Sequence, residues 1–262
     1  MSRRTTGLAA ALSLLTLGQV GQALLLGSTT ALATGAVVLS TPVAHAQSAD
    51  ALNNLGIVKS NAGDYQGAIA DFNKAIDIDP QFAAAYDNRG NAKRGLKDYH
   101  GAIVDFGIAI QFNQQDAIAY FNRANALSDL DDYKAAIADY NSAIEINPRY
   151  EHAYNNRGDA KRKLKDYRGA IADFGMAIQL NPHDAMPYYN RANALSDSDD
   201  YKAAIADYNS AIEIDPRYEH AYNNRGIAKQ SIGDLEGACA DWRKAAAFGD
   251  THAPKLVSRN CH

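Results

Sequence analysis

The chain has 262 residues, 47% of them apolar, which is enough for one large or two modest folded domains. Its 26 Lys+Arg stand against 30 Asp+Glu, a net charge of −4 with no basic stripe, and this excludes a protein that holds nucleic acid by neutralising phosphates. The two cysteines, Cys239 and Cys261, stand too far apart in the sequence to form a paired-cysteine metal knuckle.

The first predicted element is a leader. Arg3 and Arg4 are followed by no Asp, Glu, Lys or Arg until Asp50, and between them lie LAAALSLLTL, ALLL and ATGAVVL. Ala44-His45-Ala46 then supplies an A-x-A site, so residues 1–46 read as a secretory signal peptide cut before Gln47. The alternative is an uncleaved membrane anchor. Gln19 and Gln22 interrupt its longest apolar window, and Gly18, Gly21 and Gly27 lower its helix propensity, which favours cleavage. Without Arg3 and Arg4 the remaining chain has 24 positive and 30 negative residues, net −6. The expected location is outside the cytoplasm, in a periplasm or secreted; membrane contact is expected only if the leader stays.

From residue 49 the sequence repeats every 34 residues, in six units: 49–82, 83–116, 117–150, 151–184, 185–218 and 219–252. The fourth position of each unit is large (Leu52, Tyr86, Tyr120, Tyr154, Tyr188, Tyr222) and the eighth is tiny (Gly56, Gly90, Ala124, Gly158, Ala192, Gly226). Positions 20 and 27 are alanine throughout, and position 24 is aromatic: Phe72, Phe106, Tyr140, Phe174, Tyr208, Trp242. Apolar and small residues recur at helical spacing in both halves of a unit, which predicts two helices. The aspartate between the halves (Asp64, Asp98, Asp132, Asp166, Asp200, Asp234) suits the N-cap of the second. Pro80, Pro148, Pro182 and Pro216 close four units; Gln114 and Asp250 stand in that place in the others, which predicts a looser turn after the second unit. RYEHAYNNRG occurs at 149–158 and again at 217–226, so a two-unit block was duplicated. The tail, residues 253–262, reads as a short helix whose Leu256 and Val257 cap the last unit. Cys239 and Cys261 are candidates for a disulfide that staples this tail down; the alternative is that Cys239 is a small buried apolar residue.

These positions resemble the signature of the tetratricopeptide repeat over 49–252. The resemblance implies an all-α fold, an α-solenoid of six helix-turn-helix units in a right-handed superhelix, with first helices lining a concave groove. One departure stands out: position 7, usually leucine in that family, is Arg89, Arg123, Arg157, Arg191 and Arg225, with Leu55 only in the first unit. Position 23 is always aspartate. If a first helix packs on the preceding second helix, a ladder is expected in which Arg89 meets Asp71, Arg123 Asp105, Arg157 Asp139, Arg191 Asp173 and Arg225 Asp207.

Nothing in the chain matches a nucleophile elbow, a phosphate loop or a zinc-protease helix, and no catalytic residues, cofactor or metal are expected. The candidate chemistry is recognition. Position 6 is asparagine in every unit: Asn54, Asn88, Asn122, Asn156, Asn190, Asn224. In relatives with such a ladder the amides grip the backbone of an extended peptide, and a carboxamide does offer both a donor and an acceptor. Phe121 and Tyr189 at position 5, and Arg94 and Arg162 at position 12, are expected to line the same groove, the arginines to recognise acidic segments. The position-5 residues lack the lysine of the family's chaperone-tail clamp. The expected function is an exported adaptor or assembly factor that binds a protein or peptide segment; the alternatives are a self-associating scaffold and a non-catalytic subunit of an enzyme.

Overall fold

A computed structural model describes residues 48–261; the leader and its cleavage site lie outside the described residues. Among the described residues there are thirteen helices and no strand. They run α1 (Ala49–Asn61), α2 (Tyr65–Ile78), α3 (Ala83–Gly95), α4 (Tyr99–Phe112), α5 (Ala117–Asp129), α6 (Tyr133–Ile146) and α7 (Glu151–Lys163). The chain continues through α8 (Tyr167–Leu180), α9 (Ala185–Asp197), α10 (Tyr201–Ile214), α11 (Glu219–Ser231), α12 (Leu235–Phe248) and α13 (Ala253–Asn260).

Each second helix starts where the sequence supplies a cap. Asp64, Asp98, Asp132, Asp166, Asp200 and Asp234 each accept a hydrogen bond from the backbone N–H three residues on, which satisfies one of the orphan donors of a helix start. The residue before each cap turns the chain through the left-handed region. It is Gly63 and Gly233 in the end units, but Lys97, Asp131, Lys165 and Asp199 hold φ of 60–64° in the others. The turn after α4 keeps the geometry of the others, with Asn113 N–H donating to Ala109, so Gln114 does not loosen it.

Packing follows from the tiny and aromatic positions. A Cβ added at Gly56, Gly90, Gly158 or Gly226 would lie 2.5–2.8 Å from the ring of Phe72, Phe106, Phe174 or Trp242, so only glycine admits those rings. The two units with alanine there, Ala124 and Ala192, carry tyrosine at position 24, and Tyr140 and Tyr208 donate their hydroxyls to Asn125 and Asn193 at 2.7 Å. The alanines at positions 20 and 27 are buried in every unit. Each second helix also packs on the first helix of the next unit, and first helices touch one another along the array (α1 with α3, α3 with α5, through to α9 with α11). First helices therefore line the inside of the curve. At the far end α13 lies on α12, with Leu256 and Val257 against Tyr222, Cys239 and Trp242. Cys239 and Cys261 are joined as a disulfide. No described helix is long and apolar enough to cross a membrane.

Candidate functional site

The arginine ladder exists with a different pairing from the expected one. Arg89 binds Asp105, Arg123 binds Asp139, Arg157 binds Asp173, Arg191 binds Asp207 and Arg225 binds Asp241, at 2.5–2.6 Å, each within its own unit. The expected partners Asp71, Asp105, Asp139, Asp173 and Asp207 of the preceding unit are corrected accordingly. The reason is hairpin geometry: two antiparallel helices joined by a three-residue turn place positions 7 and 23 opposite each other. The preceding unit supplies a lesser partner. Arg89, Arg157 and Arg225 donate their remaining nitrogen to Asn73, Asn141 and Asn209 at 2.6–2.7 Å. Each of these guanidiniums also lies over the position-4 tyrosine of its own unit, 5.2–5.4 Å from the ring centre. In the first unit, where Leu55 replaces the arginine, Lys59 takes Asp71 at 2.5 Å.

The asparagines form a chain along the concave face. Asn88 Nδ2 donates to Asn53 (3.0 Å), Asn122 to Asp87 (3.1 Å), Asn156 to Asn125 (2.9 Å), Asn190 to Asn155 (3.0 Å) and Asn224 to Asn193 (2.9 Å). Every bond crosses from one first helix to the first helix of the preceding unit, so the ladder stitches the inner wall together. It leaves capacity over. The Nδ2 groups of Asn88, Asn156 and Asn190 each keep a second proton, whereas that of Asn224 also donates to the Tyr189 hydroxyl (3.0 Å). The Oδ1 atoms of Asn88, Asn122 and Asn190 receive no hydrogen bond among the described residues. Asn54, with no unit before it, is exposed.

Phe121 and Tyr189 stand on the same wall, each paired with the tyrosine that precedes the next first helix. The Phe121 and Tyr150 rings are 4.8 Å apart, and the Tyr189 and Tyr218 rings 4.9 Å. Beside Tyr189 opens a concave pocket of about 340 Å³ lined by Asn193, Ser196, Asp197, Tyr208, Asn224 and Arg162, among others. Burial pushes the Tyr140 phenol up to about 12 and raises Tyr208 further, so both are hydrogen-bond donors at any physiological pH.

The tetratricopeptide repeat family model matches residues 49–82, 117–150, 152–184 and 185–218, just over half of the chain. The chain is a tetratricopeptide repeat protein. No curated protein matches it. Among solved structures it resembles MamA (23% identity, TM-score 0.59, covering 66% of this chain and 94% of that one). It also resembles YrrB, whose structure is titled a TPR protein with an unusual peptide-binding site (21%, 0.60, 72% and 97%), and PilF of Pseudomonas aeruginosa (17%, 0.69, 80% and 97%). At these identities the likeness is one of fold.

Within this tetratricopeptide groove the two arginines do not play the expected part. Arg94 is held by Asp129 at 2.5 Å, and Arg162 by Asp197 at 2.8 Å and Asp159 at 3.2 Å, so neither is free for an acidic ligand. Their ion pairs instead join neighbouring units, the second to the third and the fourth to the fifth. His152 and His220 sit against Glu151 and Asp250 respectively, at 2.8 and 3.1 Å, and no group of three potential metal ligands forms among the described residues. The residue that sequence reasoning missed is Asp87. It accepts from Asn122 and Asn91, faces no cation, and burial pushes its carboxyl up to about 6. Its signal was present: position 5 is asparagine in three other units and aspartate only here.

Proposed function

We propose that the protein is an exported adaptor or assembly factor that holds an extended protein segment along its first helices. The observation that carries this is the asparagine chain, which at Asn88 and Asn190 keeps a donor and an acceptor, and at Asn122 an acceptor, directed to no group among the described residues, the pattern a peptide backbone needs. In this reading the pairs at 83–116 and 219–252, which the family match passes over, are repeats of the same kind, making six. The apolar leader with its Ala44-His45-Ala46 site and the Cys239–Cys261 bond support export, since such bonds persist in oxidising compartments. The protein acts without a catalytic group of its own. The test is capture of partners from the native envelope fraction by the wild type and by Asn122→Ala/Asn156→Ala/Asn190→Ala, after circular dichroism confirms that the variant folds. A partner lost with the variant supports groove binding; identical partners with both would refute it.

One observation favours self-association as a second reading. Val58 occupies the place of an alanine that is buried in every later unit, yet it is 65% exposed, with Leu55 beside it at 37%. A monodisperse monomer across a hundredfold concentration range in light scattering would remove this reading.

A further inference from the structure

The charges of the concave wall are unevenly matched. Its arginines, Arg94 and Arg162, are both neutralised by carboxylates of the wall itself. Asp87 is not: its partners are the amides of Asn91 and Asn122. The elements packed around it send it no cation. Lys59 of α1 is bound to Asp71, Asp105 of α4 is bound to Arg89 and Lys93, and the groups whose fields couple to Asp87 from the next turns are Asp116 and Tyr150. A half-buried carboxylate that burial pushes up to about 6 and no cation offsets destabilises the free protein, and the ladder does not need one. Asn53 and Asn155, at the same position of the first and fourth units, accept the corresponding bond from Asn88 and Asn190 through a neutral oxygen. The negative charge at Asp87 thus serves something other than the stitching of the wall.

The ring pair Phe121–Tyr150 stands beside it. Aromatic faces and a poorly hydrated carboxylate together are the surroundings that a lysine or arginine side chain prefers. The arrangement recurs two units on. There the acid is one helical turn earlier, at Glu151, whose Oε2 pairs with His152 at 2.8 Å while its Oε1 is buried without a hydrogen-bond partner. Asp184 couples to both Glu151 and Tyr218 of the Tyr189–Tyr218 pair, as Asp116 does to Asp87 and Tyr150. Burial raises the Glu151 carboxyl as it does Asp87. First helices two units apart are on the order of 20 Å from each other, from interaxial spacings of 8–10 Å. An extended chain covers that distance in roughly six residues at about 3.3 Å each.

We infer that the groove selects a cationic extended segment, one that places two lysine or arginine side chains roughly six residues apart, the first against Asp87 and the Phe121–Tyr150 rings and the second against Glu151 and the Tyr189–Tyr218 rings. This rests on the groove-binding reading above and names its ligand class. Because Asp87 titrates at about 6, binding is strong above that pH and weakens as the carboxyl takes up its proton below it.

The experiment is selection of random dodecapeptides displayed on phage against the purified protein, then fluorescence titration of the enriched peptides. Enriched sequences carry paired lysines or arginines at the stated spacing. Their affinity at pH 7.5 falls roughly tenfold to a hundredfold in Asp87→Asn, the loss expected for one charge-assisted contact, and similarly in Glu151→Gln. At pH 5 the difference between wild type and Asp87→Asn shrinks by up to about tenfold. Unchanged or raised unfolding midpoints above pH 6 show that Asp87→Asn folds. Enrichment of acidic or neutral peptides, or lysine peptides indifferent to both variants, overturns the charge selection while leaving groove binding in place. Peptides of any class that bind equally well to Asn122→Ala/Asn156→Ala/Asn190→Ala, or no enrichment at all, overturn both.

Discussion

Asp173 accepts from Arg157 at 2.6 Å and from Lys161 at 2.8 Å while being almost fully buried. Removing it strands two cations in a helix interface, so Asp173→Ala is expected to cost about 2–4 kcal/mol. Arg157→Leu is expected to cost less, because Lys161 remains on the carboxylate, as Lys59 remains on Asp71 beside Leu55 in the first unit. Urea midpoints of the two variants decide the matter, and an Arg157→Leu loss as large as that of Asp173→Ala would contradict this account. Five arginines recurring at one register show that position 7 needs a partner, but the aspartate expected from the sequence, that of the preceding unit, was the wrong one. Adjacent-unit and same-unit pairings use the same residue types at similar separations, 18 residues for Arg89–Asp71 and 16 for Arg89–Asp105, and only the geometry of the hairpin turn separates them.

At the scale of the helix pair, glycine with phenylalanine and alanine with tyrosine are two solutions to one contact. In the first, the ring closes directly on the bare backbone at Gly90, where an added Cβ would sit 2.7 Å from Phe106. In the second, Tyr140 and Tyr208 reach an asparagine at position 9 and coexist with Ala124 and Ala192. Unit two already holds Asn91 at that position. Gly90→Ala alone is therefore expected to destabilise by about 1–3 kcal/mol through overpacking, and adding Phe106→Tyr to recover most of it. Additive losses in thermal unfolding would show that the two residues are not coupled. Helix pairs, turn caps and the tail helix were legible in advance because each is a local matter of periodicity, an aspartate cap or an apolar stripe. The hydrogen-bond partners of the asparagines were not, because they lie one unit away across the inner wall.

Across the whole molecule, the duplicated block makes the groove periodic as well as the fold. The repeated RYEHAYNNRG brings a ring, an acid and a ladder asparagine together each time: Tyr150, Glu151 and Asn156, then Tyr218, Glu219 and Asn224. Duplication alone explains their recurrence, and it says nothing about Asp87, which the second block lacks. That asymmetry gives the groove a direction, with the deeper acid toward the second unit. The asparagines and aromatics stand on the first helices, where their register in the repeat puts them, whereas the neutralisation of Arg94 and Arg162 by Asp129, Asp159 and Asp197 was not legible, since it depends on how neighbouring first helices splay. The central claim is that a peptide lies on this wall. It is tested most directly by following the side-chain amide signals of Asn88, Asn122, Asn156 and Asn190 in nuclear magnetic resonance spectra as a selected lysine dodecapeptide is added. The account predicts that these signals shift together and saturate with the binding curve; shifts confined to the charged edge turns or the second helices, with the asparagine amides still, would contradict it.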